Sequence, residues 1–429
     1  MAATTLSESP VYPIGSRLNG RGRLEVGGCD VIELAREFGT PAYVLAEDDL
    51  RARARAFVGA LGARCPSGEV IFASKALPCV AVEIILREEG LGCDVASGGE
   101  LALALRAGFD PRRLYLHGNA KSRVELTEAL EAGVGTIVID NADEVDRLAA
   151  LRPRDQAVLL RVAPGVRPGT HASISTGQAD SKFGVSVAEA PALIERVGEI
   201  DGLRLVGLHV HLGSQLVDAA VFDAAAAAIA RLGQFEVYDL GGGLAATYTA
   251  AQAPPAIEAY VNAQVSAAER HLGTGRRLVL EPGRALVANA GVTLYSVESV
   301  KRNVSTWVAV DGGMSDNLRP MLYAAPYEAQ VADRFLEDPG AGERCVLCGK
   351  HCESGDVIVP DVPLANPRAG DVIVTPATGA YGHAMANNYN GVPRPPVIVC
   401  RDGQARVVVR RETYADLLRR ETPEGSPAA

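Results

Sequence analysis

The sequence predicts an α/β fold: a TIM (β/α)8 barrel plus a C-terminal all-β domain that also takes in N-terminal strands. Two observations indicate this fold. From about residue 70, short β-forming runs alternate with helical stretches, giving eight strand–helix units in series. After Gly291 the helical spacing gives way to successive β-forming runs separated by Gly, Pro and Asp turns. A doubly wound sheet uses a similar alternation, so the count favours the barrel but leaves that alternative open.

The change of pattern divides the chain into four predicted segments. Residues 1–45 are expected to pack with the β domain, and residues 46–290 to form the barrel. Residues 291–420 are expected to form the C-terminal β domain. Residues 421–429, in the sequence ETPEGSPAA, are expected to form a flexible tail.

The candidate barrel strands are apolar runs of similar length. Between them lie helical patterns such as VAVEIILREEG and VELTEALEAGV, with apolar residues three and four positions apart. Gly90, Gly108 and Gly133 stand where helix C-terminal caps belong. The strands are VIFAS (70–74), CDVAS (93–97), LYLHG (114–118), TIVID (136–140), VLLRV (158–162), LVGLHVHLG (205–213), VYDLGGG (237–243) and LVLEPG (278–283).

The predicted β domain contains the runs VTLYSVESVKR, WVAVDGG, GDVIVP, GDVIVTPA and PPVIVCRDGQARVVVRRE. Two N-terminal pieces, GRLEVGG and AYVLAE, are also typical of strands. Because they precede the eight barrel units, we expect them to pair with the β domain.

The composition indicates a cytoplasmic globular enzyme that acts on small molecules. Its hydrophobic and charged fractions, 48% and 22%, are ordinary for a folded chain of 429 residues. A net charge of −10 argues against a nucleic-acid surface. No secretory signal is recognisable, and no stretch approaches the ~20 apolar residues of a membrane helix. Eight irregularly spaced cysteines are typical of reduced cytosolic thiols.

A lysine and a histidine end two of the predicted strands, where barrel active sites assemble. Lys75 follows the first strand among apolar neighbours, and a desolvated amine has a lowered pKa and can form a Schiff base. Taken alone, a lysine that extends from a strand end into solvent is the commoner explanation. His211 ends the sixth strand, with Ser214 and Gln215 beyond it. A metal pair with His209 and a buried, hydrogen-bonded histidine are both alternatives.

The seventh and eighth strands end in groups suited to an anion and a cation. Gly241, Gly242 and Gly243 let backbone N–H groups close around a phosphate, although a bare triple glycine is a weak signal. Glu281 and Arg284 follow the eighth strand in EPGR, where a surface ion pair is the plain alternative. An amine, an imidazole, a glycine loop and a carboxylate at these strand ends together match the needs of pyridoxal phosphate.

The segment CVLCGKHCESG (345–355) raises the question of a metal site. Zinc would require Cys345, Cys348, His351 and Cys352 together, but adjacent residues of an extended strand point to opposite faces. We therefore predict no metal site, with zinc as the minor alternative. Cys345 and Cys348 are interpreted as small hydrophobic residues of a strand.

Ten segments, in order, carry a family resemblance: FASKA (72–76), DVASGGE (94–100), HGNAKS (117–122), DSKFG (180–184), HVHLGSQ (209–215), DLGGG (239–243), EPGR (281–284), VDGGMSDNLRP (310–320), CESGD (352–356) and TGAYGHAMANNYN (378–390). The chain resembles the diaminopimelate decarboxylases, pyridoxal-phosphate enzymes with an alanine-racemase-like barrel. The likeness runs from about residue 30 to 415 and covers both predicted domains.

The resemblance implies pyridoxal 5'-phosphate as the cofactor, with Lys75 as the catalytic lysine that forms a Schiff base with it. It implies that His211 stacks on the cofactor ring and that Glu281 pairs with the pyridine nitrogen. A protonated ring is a strong electron sink, whereas alanine racemases place an arginine there, so Glu281 favours decarboxylation. The implied phosphate contacts are Ser214, Gly241, Gly242, Gly243, Gly283, Arg284 and Tyr381.

The implied reaction is decarboxylation of meso-2,6-diaminopimelate to L-lysine and CO2, the last step of lysine biosynthesis. By the same resemblance, the protein is a homodimer with composite active sites. Cys352 is the implied catalytic proton donor in the neighbouring subunit's site, and thiols are mostly protonated at neutral pH. The implied substrate contacts are Arg284, Arg319, Tyr323, Glu353 and Tyr381, with Glu353 also supplied by the partner subunit.

Two other functions stay open at this point. One is a decarboxylase of ornithine, lysine or arginine, which would not need Arg319 for a distal carboxylate. The other is a non-catalytic vitamin-B6-binding protein, which usually lacks the β domain and the CES cysteine. The chain departs from the family pattern at Leu77, often asparagine, and at Gly382 and His383, where small residues are usual.

Overall fold

The structure is a computed structural model, and it describes residues 4–6, 9–166, 181–422 and 425. The chain divides into two compact units. The β unit takes in Met1–Asp49, Thr247–Gln252 and Val287–Ala429, and the barrel unit takes in Leu50–Ala246 and Ala253–Leu286. Asp180 of DSKFG and most of the predicted tail 421–429 lie outside the described residues.

The N-terminal part of the β unit begins with a small antiparallel sheet. Its strands follow one another in the order β1 Thr4–Thr5, β2 Arg17–Leu18, β3 Leu24–Val26 and β4 Cys29–Asp30. Asp30 caps helix α1, Val31–Phe38, because its carboxylate accepts hydrogen bonds from the first-turn N–H groups. Strand β5, Ala42–Ala46, and helix α2, Glu47–Arg64, come next.

The barrel unit contains a closed sheet of eight parallel strands within the described residues. Closure follows from the pairing, because β10 pairs with both β9 and β12, and β14 pairs with β6. This excludes the doubly wound alternative and confirms the predicted fold class. The short β11, Val185–Ser186, pairs with β10 outside the barrel. The barrel strands are β6 Glu69–Ala73, β7 Gly92–Val95, β8 Leu114–Leu116, β9 Thr136–Ile139, β10 Gln156–Ala163, β12 Leu203–His209, β13 Val237–Asp239 and β14 Arg277–Leu280.

Helices alternate with the barrel strands, as the apolar spacing predicted. Gly90, Gly108 and Gly133 follow three of them with φ of +89°, +80° and +74°, so the predicted glycine caps are confirmed. The helices are α3 Val80–Glu88, α4 Gly98–Arg106, α5 Arg123–Ala132, α6 Ala142–Leu151, α7 Ala190–Gly198, α8 Val221–Ile229, α9 Ile257–His271 and α10 Arg284–Val287.

The larger sheet of the β unit runs in the order β19-β18-β16-β15-β5-β21-β22, and β20 pairs with β15 and β17. The N-terminal β5 pairs antiparallel with β15 and parallel with β21, which confirms that the β domain takes in an N-terminal strand. The elements are β15 Gly291–Arg302, β16 Thr306–Val310, α11 Arg319–Tyr323, β17 Gln330–Val331, β18 Glu343–Cys348, β19 Val357–Leu364, β20 Val372–Pro376, β21 Val397–Arg401, β22 Gln404–Val409 and α12 Tyr414–Leu418.

A hydrophobic cluster joins the N-terminal strands to the larger sheet. Leu24 and Val26 of β3 pack in one core with Val292 of β15 and Ile398 of β21. The GRLEVGG piece therefore contributes to this core from the small sheet, without adding a strand to the large one. Among the described helices, none combines the length and the hydrophobicity of a membrane span.

Candidate active site at the carboxyl end of the barrel strands

Buried titratable side chains follow the apolar runs of the barrel strands. Parallel strands bring their carboxyl ends to the same end of a barrel, so these groups share one small region. Each is at most 8% exposed. They are Asp94 of β7, His117 after β8, Asp140 after β9, Arg161 of β10, His209 of β12, Asp239 of β13 and Glu281 after β14.

Glu281 lies between two histidines. Its Oε1 is 2.8 Å from Nε2 of His117, and its Oε2 is 3.3 Å from Nε2 of His209. Burial alone would raise the pKa of Glu281, but the two imidazoles outweigh burial and hold that pKa well below its usual value. Glu281 is therefore a buried carboxylate that stays ionised at neutral pH.

Asp239 connects Glu281 to the glycine loop. Its Oδ1 accepts a hydrogen bond of 2.9 Å from the N–H of Gly241. Burial, with the charge of Glu281 as the next cause, raises the pKa of Asp239 well above its usual value. The negative charge of Glu281 therefore disfavours ionisation of Asp239.

The three glycines after β13 cannot be replaced without collision. A Cβ atom on Gly241 would lie 2.7 Å from the carbonyl oxygen of Val210. A Cβ atom on Gly242 would lie 2.1 Å from the carbonyl oxygen of Glu281, and one on Gly243 would lie 2.5 Å from that of Gly213. Gly241 and Gly243 also have φ of +67° and +114°, in the region that favours glycine. The missing side chains let the loop pack closely against the backbone after the neighbouring barrel strands, which determines the path of the loop.

Ser214, Gly283 and Arg284 lie in the same unit as this loop. The Arg284 guanidinium donates to Oγ of Ser214 from Nε at 3.0 Å and from Nη2 at 2.9 Å. A Cβ on Gly283 would lie 3.0 Å from Cβ of Ala73, so the EPGR turn packs tightly against β6. A hydroxyl and a guanidinium held together suit a phosphate oxygen.

His211 contacts the glycine loop directly. Its Nδ1 accepts a hydrogen bond of 3.3 Å from the N–H of Gly242 and lies 3.9 Å from a carboxylate oxygen of Glu281. Burial, followed by the positive charge of Lys75, lowers the pKa of His211 well below its usual value, so the ring is neutral. The structure thus brings His211, Gly242 and Glu281 together.

Lys75 lies in the 3₁₀ turn Ser74–Ala76 directly after β6, and its side chain is exposed in this chain. The expected desolvation by apolar neighbours is wrong, because Ser74 and Ala76 turn into the core while the lysine turns out of it. Its charge instead acts on Asp94, Glu100 and His211.

His117, His209 and Glu281 are a set of possible metal ligands, because one ligand atom from each lies within 4.8 Å of the others. Ligand atoms around a tetrahedral zinc are roughly 3.3 Å apart, from bonds of about 2.0–2.1 Å. The 2.8 Å between Nε2 of His117 and Oε1 of Glu281 is shorter than this, which is typical of a direct contact between an imidazole and a carboxylate. The set is better described as a carboxylate paired with two imidazoles.

In the β unit, Arg319 is buried at the first position of α11. Its guanidinium carbon lies 4.3 Å from the ring centroid of Tyr248 and 5.5 Å from that of Tyr327, and Nη1 donates to the Tyr327 hydroxyl. Within the described part of the chain, it makes no ion pair with a carboxylate, and its Nε has no hydrogen-bond partner. A buried cation paired only with aromatic groups is available to an anionic ligand.

Tyr323 ends α11 and is half-buried, as is Tyr381. Tyr381 has a φ of +58°, which is uncommon for a bulky residue and is held by the surrounding fold. The neighbouring glycine is required, because a Cβ on Gly382 would lie 2.5 Å from the Tyr43 hydroxyl. His383 packs edge-on against Tyr43, and burial lowers its pKa to about 4. Leu77 is buried.

Cys352 and Glu353 are exposed on the loop after β18. The backbone N–H of Cys352 donates to Oδ1 of Asn390 at 3.0 Å. The adjacent His351 is buried, and its Nδ1 lies 2.8 Å from Asp356, so the two neighbours do point to opposite sides.

The other two cysteines of this segment are paired with backbone groups of the β unit. Cys345 and Cys348 lie in β18 as predicted, and their Sγ atoms donate to the carbonyls of Glu343 and Val308. Across the residues described, these thiols and His351 do not form a metal-ligand cluster with Cys352.

The comparison with known proteins decides the family. The model for the pyridoxal binding domain of pyridoxal-dependent decarboxylases matches residues 47–288. A diaminopimelate decarboxylase of Actinosynnema pretiosum subsp. auranticum is 49% identical over 427 residues, which is 96% of each chain. This chain belongs to the diaminopimelate decarboxylase family.

Two further members support the same assignment. The diaminopimelate decarboxylase of Bacillus subtilis is 43% identical and covers 95% of this chain and 97% of its own. The crystal structure of the M. jannaschii enzyme in complex with L-lysine superimposes with a TM-score of 0.87 at 32% identity, over 95% of this chain and 98% of that one. The resemblance inferred from the ten segments is confirmed.

The cofactor of this family is pyridoxal phosphate, and the barrel unit fits it. A backbone loop from which Cβ atoms are excluded, a guanidinium paired with a serine hydroxyl, and an exposed lysine suit a phosphate and an aldehyde. The ionised Glu281 suits a ring nitrogen that carries a proton.

The sequence interpretation missed the groups around Glu281, namely Asp94, His117, Arg161, His209 as its partner, and Asp239. A signal was present, because each is a titratable residue within an apolar run or at its end: CDV, LYLH, LLRV, GLH and VYD. In a barrel, such a position is where a functional side chain is expected.

Proposed function

We propose that this protein decarboxylates meso-2,6-diaminopimelate to L-lysine and CO2, with pyridoxal phosphate held by the barrel unit. When bound, the cofactor supplies an electron sink for the electron pair left as CO2 departs. Glu281 supports this chemistry because a buried carboxylate beside a pyridine nitrogen favours the protonated ring. Lys75 provides the amine for the aldehyde, and Ser214 and Arg284 with the glycine loop bind the phosphate.

One observation carries the choice of substrate: Arg319 is a buried cation without a carboxylate partner among the described residues. Diaminopimelate has a second carboxylate and a second ammonium at its distal end, whereas ornithine and lysine have only the ammonium there. We assign the distal carboxylate to Arg319, with Arg284, Tyr323 and Tyr381 as further substrate contacts. Glu353 is assigned to the distal ammonium.

We further propose a cytoplasmic homodimer in which Cys352 and Glu353 complete the partner subunit's site. Both side chains are exposed in the single chain, although a proton-donating thiol and an ammonium ligand belong in an enclosed site. A two-fold interface supplies them reciprocally, so each site combines Lys75 of one chain with Cys352 of the other.

Release of CO2 from meso-diaminopimelate, with and without added pyridoxal phosphate, tests the function. We expect cofactor-dependent release and L-lysine as the product. L-Ornithine, L-lysine and L-arginine are assayed in parallel. Preferential turnover of one of these three would replace the proposal with the function of a basic amino acid decarboxylase.

Mixing two inactive variants tests the composite site. Lys75→Ala and Cys352→Ala homodimers are each expected to be nearly inactive. After subunit exchange, about half of the dimers are mixed, and each mixed dimer has one intact site of two, so activity should recover to about a quarter of wild type. A mixture that stays inactive despite proven exchange would place Cys352 in its own subunit's site or outside catalysis.

A further inference from the structure

Each carboxylate oxygen of Glu281 has an imidazole beside it. His117 lies 2.8 Å from Oε1 and His209 lies 3.3 Å from Oε2. The two rings meet edge-to-face with centroids 5.0 Å apart, and all three side chains are buried. Without such partners, a carboxyl at this depth would take up a proton instead of staying ionised.

The proton of His209 can be assigned to one nitrogen. Burial lowers the pKa of His209 to about 4, so the ring is neutral at physiological pH and carries a single N–H. Nε2 faces the Glu281 carboxylate, which only accepts hydrogen bonds, whereas Nδ1 has no partner among the described residues. The proton therefore lies on Nε2.

The loop that carries His117 is anchored independently. Lys121, four residues along, is buried and donates to the carbonyls of Gly118 at 2.6 Å and Val138 at 2.8 Å. Its Nζ also lies 2.8 Å from the carboxylate of Glu144. This buried anchor fixes the backbone next to His117 and so fixes the approach of its ring to Glu281.

Other charged groups near Glu281 do not replace the histidines. Burial raises the pKa of both Asp94 and Asp239, and neither carboxyl supplies a positive charge to Glu281. Arg161 interacts electrostatically with Glu281, but among the described residues the two side chains do not form an ion pair. The groups that face Glu281 from the surrounding strands and loops are Asp94, His117, Arg161, His209, His211 and Asp239.

We propose that His117 and His209 are positioning residues for Glu281: one imidazole at each oxygen fixes the plane of the carboxylate and keeps it ionised. The pair thereby sets the lowest pH at which the site favours a protonated cofactor ring. This inference rests on the proposed function in one respect, because it takes Glu281 to face the cofactor.

The first test follows the visible absorbance of the bound cofactor as a function of pH. In wild type, Glu281 stays ionised as the pH falls, until the pH reaches its lowered pKa. In His209→Leu and His117→Leu, that pKa rises, so the acid-side change of the spectrum should move to higher pH by about 1 unit or more. The dissociation constant of pyridoxal phosphate, measured on the apoprotein, should increase in the same variants.

Two matched variants separate positioning from packing. His209→Gln keeps an N–H donor toward Glu281 and should restore most of the wild-type titration, whereas His209→Leu only fills the space. His271→Gln changes a histidine on α9 whose partner is Asp223, 3.0 Å away, and should leave the spectrum unchanged. Leu variants that bind cofactor with a wild-type titration would overturn the proposal.

A second test measures the tautomer in the wild-type protein and needs no Leu variant. The chain has seven histidines, so selective 15N-histidine labelling gives a short list of signals in the wild-type holoenzyme. One histidine, assigned to His209 by its absence in His209→Gln, should keep the neutral Nε2–H form down to about pH 5, well below the usual pKa of about 6.5. Titration near that usual value, or an Nδ1–H form, would contradict the proposal.

Both tests are independent of the substrate. If wild type releases no CO2 from meso-diaminopimelate while the titrations behave as described, the proposed function fails and the histidine pair stands. Unshifted titrations reject the pair whatever the substrate is.

Discussion

The barrel has a glutamate at each end, Glu69 partly buried and Glu281 fully buried, and the two are paired with different partners. At the amino end, Glu69 of β6 contacts Arg113 at 2.8 Å and Arg277 at 2.7 Å, and accepts a hydrogen bond from the Tyr115 hydroxyl. At the carboxyl end, Glu281 lies between His117 and His209.

The difference lies in the charge of the partners. A guanidinium is always charged, so Glu69 is neutralised permanently, and both of its arginines are about 40% exposed. An imidazole can be neutral, so it can stabilise Glu281 through a close polar contact and leave much of the carboxylate's negative charge for a bound cation. The same residue type is thus a structural anchor at one end and, in the function we propose, a cofactor contact at the other.

The largest expected effect comes from Lys75, at the functional end. Lys75→Ala should lose at least about 1000-fold in activity, because the amine that binds the aldehyde is gone. Borohydride reduction of the wild type should fix the cofactor on Lys75, located by peptide mass spectrometry. Lys301→Ala, on the exposed part of β15, should behave as wild type. A reduced adduct on another lysine would contradict the assignment of the functional end.

Changing each glutamate to glutamine in turn tests whether Glu69 and Glu281 have different roles. Glu281→Gln should lower kcat by about 10²- to 10³-fold with little change in thermal unfolding, because a preorganised charge is lost. Glu69→Gln should keep activity within about twofold but lower the free energy of unfolding by about 1–2 kcal/mol, discounted for the exposure of its arginines. If Glu69→Gln loses activity and Glu281→Gln loses stability instead, the roles assigned to the two ends of the barrel are wrong.

Arg319 differs from Arg113 and Arg277, which pair with Glu69, because it has no carboxylate partner among the described residues. If it is a ligand group, Arg319→Ala should lose several kcal/mol of transition-state stabilisation on meso-diaminopimelate. The loss should be much smaller on a substrate without the distal carboxylate, such as L-lysine. Measuring kcat/KM for both substrates decides the role, since equal losses would make Arg319 an anchor like Arg113 and Arg277.

The smallest effect is expected from chelation. If His117, His209 and Glu281 act as a hydrogen-bonded set, and Cys345, Cys348 and Cys352 as separate thiols, removal of metal with EDTA should leave activity and thermal unfolding unchanged. Loss of either, restored by zinc, would revive a metal site at one of the two places.

Much of the site could be predicted because barrel chemistry occurs at strand ends. Lys75, His211, the glycine loop and Glu281 each follow an apolar run, and their order along the chain matches the family. The exposure of Lys75 could not be predicted, since it depends on the direction of the 3₁₀ turn and not on the apolar character of the neighbours. The partners of Glu281 were missed because His117 is 164 positions away from it along the chain.

The sequence alone determined the eight strand–helix units, the glycine caps, the β-rich C-terminal third and the family, because periodicity, turn residues and motifs are local in the chain. Only the tertiary structure decided which side chains meet. Closing the barrel brings the ends of β8, β12 and β14 together, and β5 enters a sheet with strands about 250 and 350 residues later. The charge on Glu281 also depends on this closure, because burial and two distant imidazoles together determine whether its carboxyl holds a proton.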